Sequence, residues 1–286
     1  MIDLETNKNN FGRKHQNCKN TCIVTPKPYG NCKQQDCLQL PELGLVVSAE
    51  PCACIILGIP PIEKLGAINL PGLPIKVPLQ ALSVKVVDNS FHINSIQVLS
   101  IKPCSSAGAG YFEIKINYIF KFKLQFFDID MNVLQVKCST PSSTSEIIKD
   151  FIYGSVNYVK KVILFGGKGG DTVIASNLIN SSTNMLGNQP YAIAKAKAIP
   201  LDVELQESKD SRCDPYCDPY CDPTNNVIIS IGLFTIISLI RIINLSVSTT
   251  STCDDCNIPL CESIVPGDPC SYFNNMPFPL EKFDAK

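Results

Sequence analysis

From Phe112 to Phe126 every second residue is apolar: Phe112, Ile114, Ile116, Tyr118, Phe120, Phe122, Leu124 and Phe126. The positions between them read Glu113, Lys115, Asn117, Ile119, Lys121, Lys123 and Gln125, polar with one exception. Alternation of this kind is the period of a strand with one buried and one wet face. A helix would scatter the same residues over all its sides. No Gly, Pro or turn dipeptide interrupts Tyr111 to Phe127, which predicts one strand of about 15 residues, roughly 50 Å long at ~3.3 Å per residue. A strand of that length needs a large antiparallel sheet to lie in. The expected fold class is therefore mainly β, a large antiparallel sheet or sandwich with long strands and one or two short helices. An irregular cysteine-rich arm, loop and tail complete it.

The rest of the chain carries few charges. Only 18% of its 286 residues are charged, below the ~25% of an ordinary soluble domain. The net charge of −1 gives no electrostatic footprint for nucleic acid, which is not expected as a partner. A near-neutral surface also does little to resist self-association.

Fifteen cysteines dominate the remaining chemistry. Most fall in clusters: Cys18, Cys22, Cys32 and Cys37; Cys52 and Cys54; Cys213, Cys217 and Cys221; Cys253, Cys256, Cys261 and Cys270. Cys104 and Cys138 stand alone on either side of the long strand. Such density suggests disulfides, and an odd count implies a free thiol or a bond to another chain. The opening stretch, MIDLETNKNNFGRKHQ, lacks the apolar core of a signal peptide, so export by the usual route is not expected. Synthesis in the cytosol followed by exposure to an oxidising exterior reconciles the two observations.

In chain order, residues 1–41 are polar and read as an irregular cysteine-rich arm. Cys18-x3-Cys22 and Cys32-x4-Cys37 could bind zinc, but structural zinc sites favour tighter knuckles, and disulfide or free thiol is the preferred reading. His15 beside them reads as a solvated side chain. Residues 42–82 carry prolines throughout and predict edge strands and turns. Leu79 to Val87 and Phe91 to Ile101 read as a hairpin about Asp88-Asn89-Ser90, followed by the long strand and a return strand over Met131 to Lys137. This makes 42–138 an antiparallel meander.

Residues 139–250 form a second β-rich part. Ser143 and Glu146 resemble a capping box, predicting a short helix from Ile147 to Ile152. Val156 to Phe165 returns to strand. A phosphate-cradling loop needs Gly-Lys followed by Ser or Thr, whereas in Gly166 to Thr172 Asp171 follows the last glycine and its charge would oppose phosphate. Ala192 to Leu205 alternates. Its Ala198-Ile199-Pro200-Leu201 is similar to Lys76-Val77-Pro78-Leu79, a hint of duplication. At 207–226 the repeat Cys213-Asp-Pro-Tyr-Cys217-Asp-Pro-Tyr-Cys221-Asp-Pro presents three thiols on successive turns.

Val227 to Val247 is long enough to span a bilayer as a helix. Arg241 inside it, the lack of basic flanks and its β-branched content favour a strand buried on both faces, so membrane insertion is not the preferred reading. Residues 251–286 form a cysteine-rich tail.

No catalytic constellation emerges, and no catalytic residue, cofactor or metal ligand is assigned. The chain has two histidines, His15 and His92, and the latter reads as structural. Asp128 and Asp130 read as turn residues.

With its clustered cysteines (Cys18 to Cys37, Cys213 to Cys221, Cys253 to Cys270), absent signal peptide and β-rich Ile/Asn/Lys-heavy middle, the chain resembles the cysteine-rich structural proteins of clostridial spore surfaces, in particular the exosporium. The resemblance implies synthesis in the mother-cell cytoplasm and location at the spore surface, in the exosporium or coat. It also implies self-assembly into a disulfide-crosslinked sheet or fibre, with the chain itself and other spore-surface proteins as partners. The candidate crosslinking residues are Cys18, Cys22, Cys32, Cys37, Cys213, Cys217, Cys221, Cys253, Cys256, Cys261 and Cys270. Two other readings stay open at this stage: a membrane-anchored protein using 227–247, and a cytosolic metal-thiolate protein.

Overall fold

The computed structural model describes residues 21–57, 66–139, 146–167, 189–208, 224–247 and 269–283. In chain order the strands are β1 (Thr21–Leu38), β2 (Val47–Ser48), β3 (Ala53–Ile56), β4 (Ala67–Asn69), β5 (Lys76–Pro78), β6 (Ser83–Val86), β7 (His92–Pro103), β8 (Tyr111–Phe127), β9 (Val136–Ser139), β10 (Glu146–Lys149), β11 (Ile152–Phe165), β12 (Tyr191–Glu207) and β13 (Thr224–Val247). A short helix, α1 (Pro269–Asn274), follows. Strand pairing is antiparallel throughout the described residues.

One layer is β1-β13-β12, with β5 beside the start of β13. The other runs β2-β11-β8, with β6 and β7 along the far edge of β8. A smaller sheet, β10-β9-β3-β4, closes one end. The large layers share one core, in which Ile114 to Phe126 of β8 and Val156 and Val162 of β11 meet Cys32 and Leu38 of β1 and Val227 to Leu239 of β13. The organising strand behaves as its alternation requires. Along the 17-residue length its even residues are buried and its odd residues half-exposed, apart from exposed Tyr111 at the start.

The apolar segment near the C-terminus is a 24-residue strand, β13. Its odd residues from Val227 to Leu239 face the core, while Phe234 and Ile240 on the other face are also buried. Phe234 packs on Phe273 of α1 at 4.7 Å between ring centroids and on Phe278 at 5.4 Å. Burial on both faces explains the near-continuous Ile and Leu content without recourse to lipid. Among the described residues no helix is long and apolar enough to cross a membrane.

Other expectations are corrected. The arm expected to be irregular is, over Thr21–Leu38, an 18-residue strand along one edge of β13. Pro26 and Pro28 sit on that edge strand, where a missing N–H is tolerated, and β13 supplies the apolar content that the arm lacks. The register slips between Pro28 and Gly30. Gly30 lies so close to the other layer that a Cβ there would stand 2.5 Å from the Phe165 carbonyl oxygen.

In place of the helix expected from Ile147 to Ile152, the chain forms strand β10 over Glu146–Lys149, which pairs with β9, and after a bend at Asp150 enters β11 at Ile152. β-Branched Ile147 and Ile148 fit that hairpin, while Ser143 of the expected cap lies outside the described residues. Nor do β6 and β7 form a hairpin with each other. Both line the same edge of β8, Val86 opposite Leu124 and His92 opposite Lys121. The turn between them, with Asn89 at φ 58°, is a jog in one interrupted strand. Ser90 Oγ stitches the jog, donating to the Val87 carbonyl at 2.6 Å and accepting from Lys123 N–H at 3.1 Å. The return strand after β8 is shorter than expected and leaves the layer, because β9 pairs with β3 and β10. The two similar tetrapeptides lie on opposite edges of β13, the first three residues of one forming β5 and the other lying inside 17-residue β12.

Candidate functional site: cysteine bridges and buried charges

Two in-chain disulfides tie distant parts of the fold together. Cys37, on the outer face of β1, bonds Cys270 of α1 across a sequence separation of 233 residues. Gln35 on the same face donates its side-chain N–H to the carbonyls of Phe273 and, at 3.4 Å, Met276. The segment 269–283 is thereby clasped against β1 and β13. Gly232 of β13 makes room for it, since a Cβ there would lie 2.3 Å from the Phe273 ring.

The second bridge joins Cys54 of β3 to Cys138 of β9, directly opposite in the ladder. Cys52 is buried beside them, and the three sulfurs lie within 4.8 Å of one another. Neither Cys52, Cys54 nor Cys138 was among the crosslinking candidates. The available signal was a Cys-x-Cys on extended chain, which points both thiols to one face, together with a lone cysteine on the strand after β8.

Of the candidates themselves, Cys37 and Cys270 are paired within the chain, Cys32 is buried in the core, and Cys22 lies in β1 in register with Ser246. Cys18, Cys213, Cys217, Cys221, Cys253, Cys256 and Cys261 lie outside the described residues, as does His15. Cys104 is half-exposed in the β7–β8 loop, its sulfur 3.3 Å from Ser106 Oγ.

The interior also holds charges. Lys160 of β11 donates to the carboxylate of Asp36 on β1, an ion pair that bridges the two layers with side chains only 5% and 17% exposed. Tyr118 and Tyr158 stack beside one another at 6.4 Å between centroids. Burial pushes the Tyr118 hydroxyl far above its ordinary value, and the negative Asp36 and neighbouring Tyr158 add to the shift. Tyr158 is pushed up to about 12, by burial first and then by Asp36 and Glu42.

A second buried pair sets Glu50 against Lys149 at 2.6 Å, and the same carboxylate oxygen accepts the Tyr153 backbone N–H at 2.7 Å. Arg241, the charge inside the apolar strand, donates to the carbonyl oxygens of Gly166 and, at 3.1 Å, Gly167. Its guanidinium lies over the Phe112 ring at 5.8 Å. The start of the glycine loop is thus an acceptor for a buried cation.

The remaining sequence candidates take structural places. Asp128 accepts from the backbone of Asp130 and from the backbone and side chain of Asn132. Burial pushes its carboxyl up, but those hydrogen bonds outweigh burial and hold it below its ordinary value. His92 Nδ1 donates to the Ser90 carbonyl at 3.0 Å.

Chemically, this set offers covalent staples and ion pairs across sheet boundaries. Comparison with protein-family models, curated proteins and solved structures found no match.

Proposed function

We propose that this chain is a structural protein that assembles with copies of itself into a disulfide-crosslinked protective layer or fibre on the endospore surface. The observation that carries the reading is the use of cysteine. Four described cysteines staple the chain internally, as Cys37–Cys270 and Cys54–Cys138, while the total of fifteen is odd. Full oxidation within one chain would therefore leave one thiol over, available to another chain. Low charge density and a rigid two-layer body suit a packed lattice subunit. Cys213, Cys217 and Cys221 of the Cys-Asp-Pro repeat, with Cys253, Cys256 and Cys261 of the tail, are the proposed crosslinking points, Cys270 being taken by Cys37. The location at the spore surface rests on the resemblance of cysteine pattern.

Purified oxidised protein, boiled in detergent without reductant, should run as high-mass species that collapse to 31.3 kDa when reductant is added. A monomer band under both conditions would refute the reading. Negative-stain microscopy with and without reductant then separates sheets from fibres.

A further inference from the structure

We propose that, before its disulfide forms, the triad Cys52, Cys54 and Cys138 binds one thiophilic divalent cation of the zinc type. The geometry comes from the ladder. Cys54 lies in β3 and Cys52 in the bend just before it, and both are buried, with the more exposed Ala53 between them. Cys138 stands opposite Cys54, with 4.1 Å between their Cα atoms. The three sulfurs already lie within 4.8 Å of one another. Zinc–sulfur bonds of ~2.3 Å place ligating sulfurs about 3.8–4.0 Å apart, so small side-chain rotations suffice.

Simple disulfide chemistry needs only two of these thiols, and it leaves Cys52 as a third sulfur in a closed site. Thiolates select soft or borderline cations over magnesium or calcium. Charge favours a divalent ion, because three thiolates around it leave a single net negative charge in a buried place. Binding exchanges three thiol protons for the ion, as Zn²⁺ + 3 Cys–SH → [Zn(S–Cys)₃]⁻ + 3 H⁺, with zinc's fourth position left for a water molecule. No electron transfer is involved. Later oxidation of the two bound thiolates to the Cys54–Cys138 disulfide, with two electrons passing to an external oxidant such as dioxygen (O₂ + 2 H⁺ + 2 e⁻ → H₂O₂), removes two of the ligands and so expels the ion. This site is independent of the assembly reading, and its failure would leave that reading untouched.

The test uses the full chain, reduced and kept anaerobic, with zinc as the probe. Alkylation rates at each cysteine are read by peptide mass spectrometry, which resolves this triad from the other cysteines. With zinc at about ten times its Kd, roughly a tenth of the site stays free, so Cys52, Cys54 and Cys138 should alkylate about tenfold more slowly. A chelator should restore all three rates together. The Cys52→Ser variant should lose the zinc protection at Cys54 and Cys138, whereas Cys104→Ser should keep it. Equal rates with and without zinc would overturn the proposal. So would full protection of Cys54 and Cys138 in Cys52→Ser, which would mean that the third sulfur takes no part.

Discussion

Replacing Phe120 with Ala tests the organising strand at its centre. Phe120 is fully buried on β8, between Ile93 of β7 and Val156 of β11 in the ladder. Its ring stacks on Phe91 at 5.9 Å and an interplanar angle of 17°. Removing it forfeits about 2–3 kcal/mol of apolar transfer and about 1 kcal/mol of ring stacking. The flanking strands are held by their own ladders and cannot close fully on the gap, so a cavity term is added. The expected loss is about 4–5 kcal/mol, the upper part of the range for large buried aromatics. Lys121 next to it is half-exposed on the opposite face, and Lys121→Ala should shift stability by ~0.5 kcal/mol or less. Urea melts of both variants supply the comparison, with an unchanged m-value as the check that the same folded body is unfolding. If the two substitutions destabilise the fold equally, the strand has no wet face and the two-faced account of it is wrong. If Lys121→Ala leaves the monomer stable but weakens assembly in microscopy, that face is a lattice contact.

Further outcomes follow from the site. Lys160→Met should cost about 3–5 kcal/mol by stranding the Asp36 carboxylate between the layers, and adding Asp36→Leu should recover most of it; additive losses in the double-mutant cycle would contradict a coupled pair. Gly232→Ala forces a Cβ into the Phe273 ring and should cost about 1–3 kcal/mol while speeding hydrogen exchange in 269–283, and wild-type exchange there would show that the segment does not pack on β13. The folded-state values of the Tyr118 and Tyr158 hydroxyls are raised, so their contribution to stability is complete below the ordinary tyrosine value near 10. It should be lost as pH rises from there through about 12, and Tyr118→Phe should blunt that alkaline loss in melts run across the range; an unchanged pH profile in the variant would rule the hydroxyl out as a contributor.

How much of this was legible beforehand depended on whether the signal was local. Strand character is written in neighbouring residues, so the alternation over Tyr111–Phe127 and the β-branched run of β13 identified their elements directly. The β6–β7 error was of another kind. Two short runs around a turn look like a hairpin, yet the partner of each is β8, and nothing within Leu79 to Ile101 records that preference. The N-terminal arm failed for the same reason. Thr21–Leu38 has little apolar content and two prolines, and it is a strand because β13 offers it an unpaired edge. Ile147 to Ile152 carries a local capping pattern that suggests a helix, but its first residues pair as β10 because β9 lies alongside.

The candidate site divides along the same line. The number of cysteines, their odd total and the charge on Arg241 inside an apolar strand are properties of the sequence alone; the cysteine density is matched by two in-chain disulfides, and the Arg241 charge by the carbonyls of Gly166 and Gly167. Which sulfur meets which was decided only by the tertiary structure. Cys37 reaches Cys270 because α1 packs on the outer face of β1, and Cys54 reaches Cys138 because β3 and β9 share one ladder. Asp36 and Lys160 were unremarkable polar residues until two layers closed over them. The physical reason is that side-chain period is set by backbone geometry over a few residues, whereas a bridge or a buried ion pair exists only after the entropy of closing a long loop has been met by core burial.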